Sequence, residues 1–234
     1  MSQVTDPEPG ADDAARKARQ DHTLVPLLLA MTVVSGGVDA VSVLRLGRVF
    51  VANMTGNVVF LGFAIARAPG FSVAGSLVAL GAFLTGAGVG GRVLPSPDRI
   101  ATIGRTALAE AALAGAATVV ALAVSGTSAR YAMIVLLALA LGAQNASVRR
   151  VAVPDLTTTV LTLTLTGLAS DPSTLSLRHS TTRRRIAAVA AMLVGEIVGA
   201  LLVLHASTEA ALGSVTGVLV VIAVATAMGQ RRPH

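Results

Sequence analysis

The residues that could do chemistry lie where the chain is otherwise apolar. Asp39 follows the pair Gly36-Gly37, and Asn53, Thr55 and Asn57 cluster where a second apolar run begins. A similar polar set follows later: Gln144 and Asn145, then Thr157, Thr158, Thr159, Thr162, Thr164 and Thr166. Two more acids, Glu110 and Glu196, interrupt apolar runs. In a bilayer such groups are costly, so they face the protein interior, a partner or a water-filled cavity. Carboxylates there can take up a proton or a cation, and amides and hydroxyls can hydrogen-bond a solute.

Asp39 stands one to two turns before the end of an apolar segment over 24–44. An ionised carboxylate at that depth needs a cation, a shell of hydrogen bonds or a proton. It reads either as a coupling site or as a structural acid paired with Arg45 or Arg92. Asn53, Thr55 and Asn57, with Gly56 between them, open a short helix whose first N–H groups are free to hold an anion or a carbonyl. The plainer alternative is a helix cap with interhelical hydrogen bonds. Thr158, Thr162 and Thr166 recur every four residues and form one hydroxyl stripe on a helix, though such hydroxyls often bond back to their own backbone.

Glu110 reads as an interfacial or capping residue near the start of its segment. Glu196 lies deeper, in MLVGEIVGALLV beside Gly195 and Gly199. Small residues four apart let helices approach closely, and Ala82, Gly86 and Gly90 make a matching stripe, so these glycines are expected at tight helix contacts. Glu196 would then flank a packing seam, in coupling, gating or a structural pairing. The four histidines lack the spacing of a metal site, and no nucleophile elbow, phosphate loop or dinucleotide fingerprint occurs. No metal, cofactor or catalytic residue is expected, and an enzyme is not the reading. With no cysteine, disulfides and thiol chemistry are excluded.

The elements that must position these groups are membrane helices. Hydrophobic residues make up 53% of the 234 and charged ones 13%, against about 25% charged in a soluble domain. The net charge of +6 is spread between apolar runs, which suits membrane topology and not nucleic-acid binding. Eight apolar segments can be drawn, at 24–44, 51–66, 71–93, 105–124, 131–148, 153–169, 186–205 and 210–228. Residues 1–21 read as a disordered, cytoplasmic polar tail without signal-peptide features, 170–185 as a long polar connection, and 230–234 as a basic tail.

Segments two and six are the shortest and most polar. If all eight segments cross, the basic residues divide eleven to seven between the two sides. If 51–66 and 153–169 dip in and return, the division becomes fourteen to four. The positive-inside rule prefers the second arrangement, six full spans and two re-entrant segments. The pattern also repeats. GGVDA at 36–40 matches GAQNA at 142–146, TGNVV at 55–59 matches TTTVL at 157–161, and Gly86 and Gly90 match Gly195 and Gly199, at offsets of 106, 102 and 109. Repeats over 22–125 and 126–229 follow, inverted relative to each other if each holds three full spans.

These stretches carry a resemblance. Gly-x-Asp-Ala near the end of the first span, VFVANMTGN at 49–57, GAQNA and TTTVLT together resemble the YoaK-like membrane proteins, a bacterial family known as a domain of unknown function. The resemblance covers nearly everything after residue 24 and implies a multi-pass protein of the bacterial inner membrane. The expectation is an all-α transporter or permease for a small solute or ion. Its site would be built from Asp39, Asn57, Asn145 and Thr158, with Asp39 or Glu196 as the coupling group. A pore made by the two re-entrant segments, or a component that transports nothing, are the alternatives. The lipid bilayer is the expected partner, and the small-residue seams also allow a homo-oligomer.

Overall fold

The computed structural model describes residues 9–153, 165–166 and 180–230. Among these residues seven helices follow in order: α1 (Pro9–Arg45), α2 (Met54–Ile65), α3 (Val73–Val93), α4 (Arg99–Ala123), α5 (Thr127–Val151), α6 (Ser180–His205) and α7 (Thr208–Gln230). No strand occurs among the described residues. Among the described residues, six helices contain stretches long and apolar enough to cross a membrane: Gln20–Arg45 of α1, all of α3, α4, α5 and α7, and Thr182–His205 of α6. Large apolar side chains such as Leu84, Leu122, Leu204 and Val221 lie exposed on the outer helices, which suits a lipid solvent. The chain is a polytopic helical membrane protein.

Local chemistry moves several boundaries from those expected. The polar stretch assigned to a disordered tail over 1–21 contributes its residues from Pro9 onward to α1. Proline suits a first helical turn, and ADDAARKARQ puts acids early and strong helix formers after them. α4 begins at Arg99 and not at 105, because Asp98 accepts the Ile100 N–H at 3.0 Å and caps the helix. Glu110 is thereby about 16 Å along α4, deep and not interfacial. Residues 180–185, expected within the connection over 170–185, are the first turns of α6. The sixth segment, 153–169, lies outside the described residues except for Val153, Leu165 and Thr166.

α1 and α5 are the inner helices. In their apolar windows 67% and 61% of residues are buried, against 28–33% for the other four spans. The main pairings are α1 with α6, α3 with α5 and α4 with α7, followed by α4 with α5 and α1 with α7; α2 lies on α3. Glycine contacts set the first two pairs. A Cβ on Gly36 would strike the carbonyl of Met192, and one on Gly195 the carbonyl of Val33. A Cβ on Gly142 would strike the carbonyl of Phe83, and one on Gly86 the carbonyl of Leu139. Gly199 meets Gly37 as Gly90 meets Ala143. Gly86/Gly90 and Gly195/Gly199 therefore do not face each other; each pair seats on an inner helix.

Contacts at the helix termini fix which ends lie together. Arg99, opening α4, donates to the Val151 carbonyl closing α5 and pairs with Asp21 near the start of the α1 span, both at 2.9 Å. Gln230, closing α7, donates to Asp98 at 3.2 Å. At the opposite end Arg45 donates to the Val203 carbonyl near the close of α6, at 3.0 Å. There the Arg48 guanidinium lies 5.9 Å from the Phe71 ring, and a Cβ on Gly75 would meet Val49 at 3.2 Å. The flanks of α2 thus meet at one end of the bundle, so the chain leaves and rejoins the same end around α2. α2 is 12 residues, about 18 Å, against about 30 Å for a bilayer core.

The seams predict opposite responses to one added methyl. Gly86→Ala and Gly195→Ala each lower stability by about 1–3 kcal/mol through overpacking. Gly81→Ala, with nothing within 4 Å of the new Cβ, raises it by about 0.5–1 kcal/mol through helix propensity. Thermal unfolding in detergent followed by circular dichroism, which suits a chain without tryptophan, checks both signs.

Candidate functional site

α1 carries a buried polar stripe, Thr32, Ser35, Asp39 and Ser42, at helical spacing and each at most 1% exposed. Two of its members satisfy themselves locally: Thr32 Oγ1 donates to the Leu28 carbonyl and Ser42 Oγ to the Asp39 carbonyl, both at 2.9 Å. The other two reach other segments. Ser35 Oγ donates to the Met31 carbonyl at 3.0 Å and accepts from Gln144 Nε2 of α5 at 2.9 Å. Ser35 stands roughly 15 Å from the end of α1 and Gln144 roughly 10 Å from the end of α5, so this bond joins the two inner helices within their buried lengths.

Asp39 organises the stretch that follows α1. Its Oδ1 accepts the backbone N–H groups of Val51 and Ala52, both at 3.1 Å. Asp39 precedes Arg45, the last residue of α1, by six residues, about 9 Å. The chain therefore turns back into the bundle, through the left-handed Gly47 (φ 94°) and Arg48 (φ 55°). The returning backbone is enclosed, with Val49 and Val51 at most 1% exposed. Asn57, fully buried, brackets Phe50: Oδ1 accepts the Phe50 N–H at 2.8 Å and Nδ2 donates to the Phe50 carbonyl. The Phe50 ring stacks on Phe60 at 5.3 Å, and Phe60 contacts Phe71 at 5.0 Å. Asp39 and Asn57 thus hold one non-helical segment from its two sides.

The second carboxylate oxygen differs. Asp39 Oδ2 is buried and has no hydrogen-bond partner. Neither arginine considered as its counter-ion reaches it, since Arg45 is spent on Val203 and Arg92 Nη1 donates to the Gly88 carbonyl at 2.7 Å. The nearby ionisable group is instead Glu196. It is half-buried on α6, and its backbone N lies at the Gly36 contact one turn before Asp39. A carboxylate with one oxygen fixed and the other free of partners can accept a proton or a cation without losing its anchor.

The remaining candidates are placed as follows. Asn53 and Thr55 are exposed, and Asn53 serves as N-cap of α2 by accepting the Gly56 N–H at 3.3 Å. They do not join the buried cluster. Asn145 is half-buried and donates to the Leu141 carbonyl at 2.8 Å. Thr158 and Thr162 lie outside the described residues. Sequence reasoning passed over Ser35, whose signal was its place one turn before Asp39, and the depth of Glu110, which is 2% exposed in α4. It also passed over Arg99, for which no sequence signal distinguished a terminal clasp from an interfacial charge.

Truncation separates anchoring from chemistry. Asp39→Ala removes the acceptor for two buried N–H groups and lowers stability by about 2–4 kcal/mol, and Asn57→Ala by about 1–3 kcal/mol. Asp39→Asn keeps a carbonyl oxygen for Val51 and Ala52, so its midpoint in the same unfolding experiment lies much closer to that of the parent protein.

A family described as "Protein of unknown function (DUF1275)" matches residues 27–225. A relative, "UPF0700 transmembrane protein YoaK" of Bacillus subtilis (strain 168), is 30% identical over 151 residues, 63% of this chain. The chain spans 66% of that relative's length. No solved structure matches. The family match takes in α2 to α6, both polar stretches and almost all of the apolar sequence, and the chain belongs to this DUF1275, YoaK-like family of membrane proteins.

Proposed function

We propose that the protein is a secondary transporter or permease for a small solute, with Asp39 as the carboxylate that takes up a proton or cation. The observation that carries this reading is Asp39 Oδ2, a buried and unpartnered acceptor some 9 Å inside the end of a membrane helix. Around it, Gln144 and Ser35 link the inner helices and Glu196 supplies a second acid from α6. Nothing in this chemistry calls for a cofactor or for catalysis.

Transporter sites commonly lie between inverted halves, and the contact pattern supports such halves here. α1 with α6 and α5 with α3 are equivalent pairs if α5, α6 and α7 repeat α1, α3 and α4. The glycine contacts agree residue by residue: Gly36 on Met192 corresponds to Gly142 on Phe83, and Gly195 on Val33 to Gly86 on Leu139. α1 runs away from the end shared by Asp21, Arg99 and Val151, whereas α5 runs towards it. On this reading α2 and the segment before it are a re-entrant element, irregular backbone tolerated at depth because protein encloses it. Topology by sequence then assigns fourteen of the 18 basic residues to the side of Asp21 and Arg99, which supports a cytoplasmic assignment for that side in a bacterial inner membrane.

The bonds from Val51 and Ala52 to Asp39 Oδ1 favour a second reading, in which the acid only fastens the returning segment and the protein transports nothing.

Two measurements test these readings. Single cysteines introduced at Arg48 and Arg67, in a chain with no native cysteine, react with an impermeant maleimide from the same, extracytoplasmic side; labelling from opposite sides overturns the re-entrant topology. In proteoliposomes loaded with a pH dye, the parent protein acidifies the lumen when a transported solute is added from a panel of small metabolites. Asp39→Asn loses that proton movement at least tenfold while remaining folded. Proton-independent flux that survives the substitution indicates a pore. A parent protein that moves no solute, with Asp39→Asn about as stable as the parent and Asp39→Ala destabilised, supports the structural reading.

A further inference from the structure

A cleft of about 490 Å³ opens between α3 and α5 at the end shared by Asp21, Arg99 and Gln230, far from Asp39 along α1. It is lined by Ala87, Gly88, Gly91 and Arg92 of α3 and by Ala146, Arg149 and Arg150 of α5. Its floor is small and its rim carries three exposed guanidinium groups. None of the three has an acidic partner among the described residues, where the ion pair found is Arg99 with Asp21. Three like charges around one cavity repel each other, and an anion seated between them removes that penalty.

Gly88 sets the floor apart from the packing seams, whereas a Cβ on its neighbour Gly91 would meet the Ala146 Cβ of α5 at 3.2 Å. Gly86 and Gly90 press on the backbone or Cβ of α5, where any side chain would clash. Gly88 has no such neighbour: a Cβ there would meet only Arg92 Nη1, at 3.3 Å. Glycine inside a helix costs about 1 kcal/mol relative to alanine, and at position 88 no helix contact offsets that cost. What glycine does there is leave its carbonyl open to Arg92 Nη1, which donates to it at 2.7 Å and is thereby held over the cleft. The other N–H groups of Arg92 remain for a ligand. A fixed guanidinium with two more across the cavity is the arrangement that binds phosphate oxygens in pairs.

We infer that this cleft binds the phosphate headgroup of an anionic lipid. The cleft lies at the ends of two membrane helices, the level at which lipid phosphates stand. Beside it Val89 and Val93 of α3 are 57% and 69% exposed, an apolar track on which an acyl chain can continue from the headgroup. A soluble phosphate would use the arginines but not that track.

Native mass spectrometry of the full chain in detergent, with defined lipids added, tests the assignment. Cardiolipin and phosphatidylglycerol are retained and phosphatidylcholine at equal concentration is not. The triple variant Arg92→Gln, Arg149→Gln, Arg150→Gln lowers cardiolipin retention at least tenfold. Gly88→Leu, which fills the cleft without changing its charge, also lowers retention at least tenfold, and circular dichroism establishes that both variants are folded. Equal retention of cardiolipin by the parent and the triple variant overturns the site. Undiminished retention by Gly88→Leu assigns binding to surface charge alone and overturns the cleft. Loss of bound cardiolipin to millimolar inorganic phosphate, with phosphate adducts appearing in its place, overturns the lipid as occupant.

Discussion

The structure depends on two places where helix backbones touch. Lipid tails are as apolar as leucine, so membrane helices gain little by hiding apolar side chains from them and associate through close packing instead. Gly36 with Gly195, and Gly142 with Gly86, bring α1 onto α6 and α5 onto α3 with no side chain between them. These contacts put α1 and α5 inside, with about two thirds of each apolar window buried. Any larger residue at those positions would move an outer helix away and expose part of the inner one to lipid.

That burial lets α1 carry Thr32, Ser35, Asp39 and Ser42 along one face. Facing lipid, each would be an unsatisfied polar group in hydrocarbon. Facing protein, each needs a partner that a straight helix cannot supply to a carboxylate, because helix N–H groups are already used. The returning backbone at Val51 and Ala52 answers that need, and Asp39 in turn answers theirs. Neither half of the arrangement is stable alone at that depth: the loop has N–H groups without acceptors and the acid has oxygens without donors. Asn57 repeats the logic one turn into α2 by closing both backbone groups of Phe50.

Much of the fold was legible because long apolar runs, turn residues and charge placement act locally or through the bilayer as a whole. The spans at 71–93 and 210–228 match α3 and α7 within two residues. What was not legible depends on who meets whom. Gly86, Gly90, Gly195 and Gly199 announce close approach, but a glycine is the same whichever helix it admits, so their seating on α5 and α1 could not be read. The depth of Glu110 turned on the cap at Asp98, seven residues upstream of the position used to start that helix. One of the two readings of Asp39 paired it with Arg45 or Arg92, yet six residues on a helix turn the Arg45 side chain about 240° away, to another face. Asn57 looked like a ligand-binding amide because an amide that binds a solute and one that binds a backbone carry the same donor and acceptor.

The two inner helices match in their glycines but not in their charge. Asp39 follows Gly36 by three residues in α1, and the residue three past Gly142 in α5 is Asn145. Where two inverted halves share the same contacts, exchanging their conformations restores nearly the same packing energy, so the preference between the two states rests on the positions that differ. If the chain is built of two such halves, as proposed above, Asp39 against Asn145 is such a position, and it can change charge while asparagine cannot. Protonation of Asp39 makes the two halves more alike at that position, and ionisation makes them unlike. On the transporter reading, this difference gives the proton a hold on the equilibrium between the two states: a ligand shifts a conformational balance only as far as it distinguishes the states. Here the distinction resides in one oxygen atom that the returning loop leaves uncommitted.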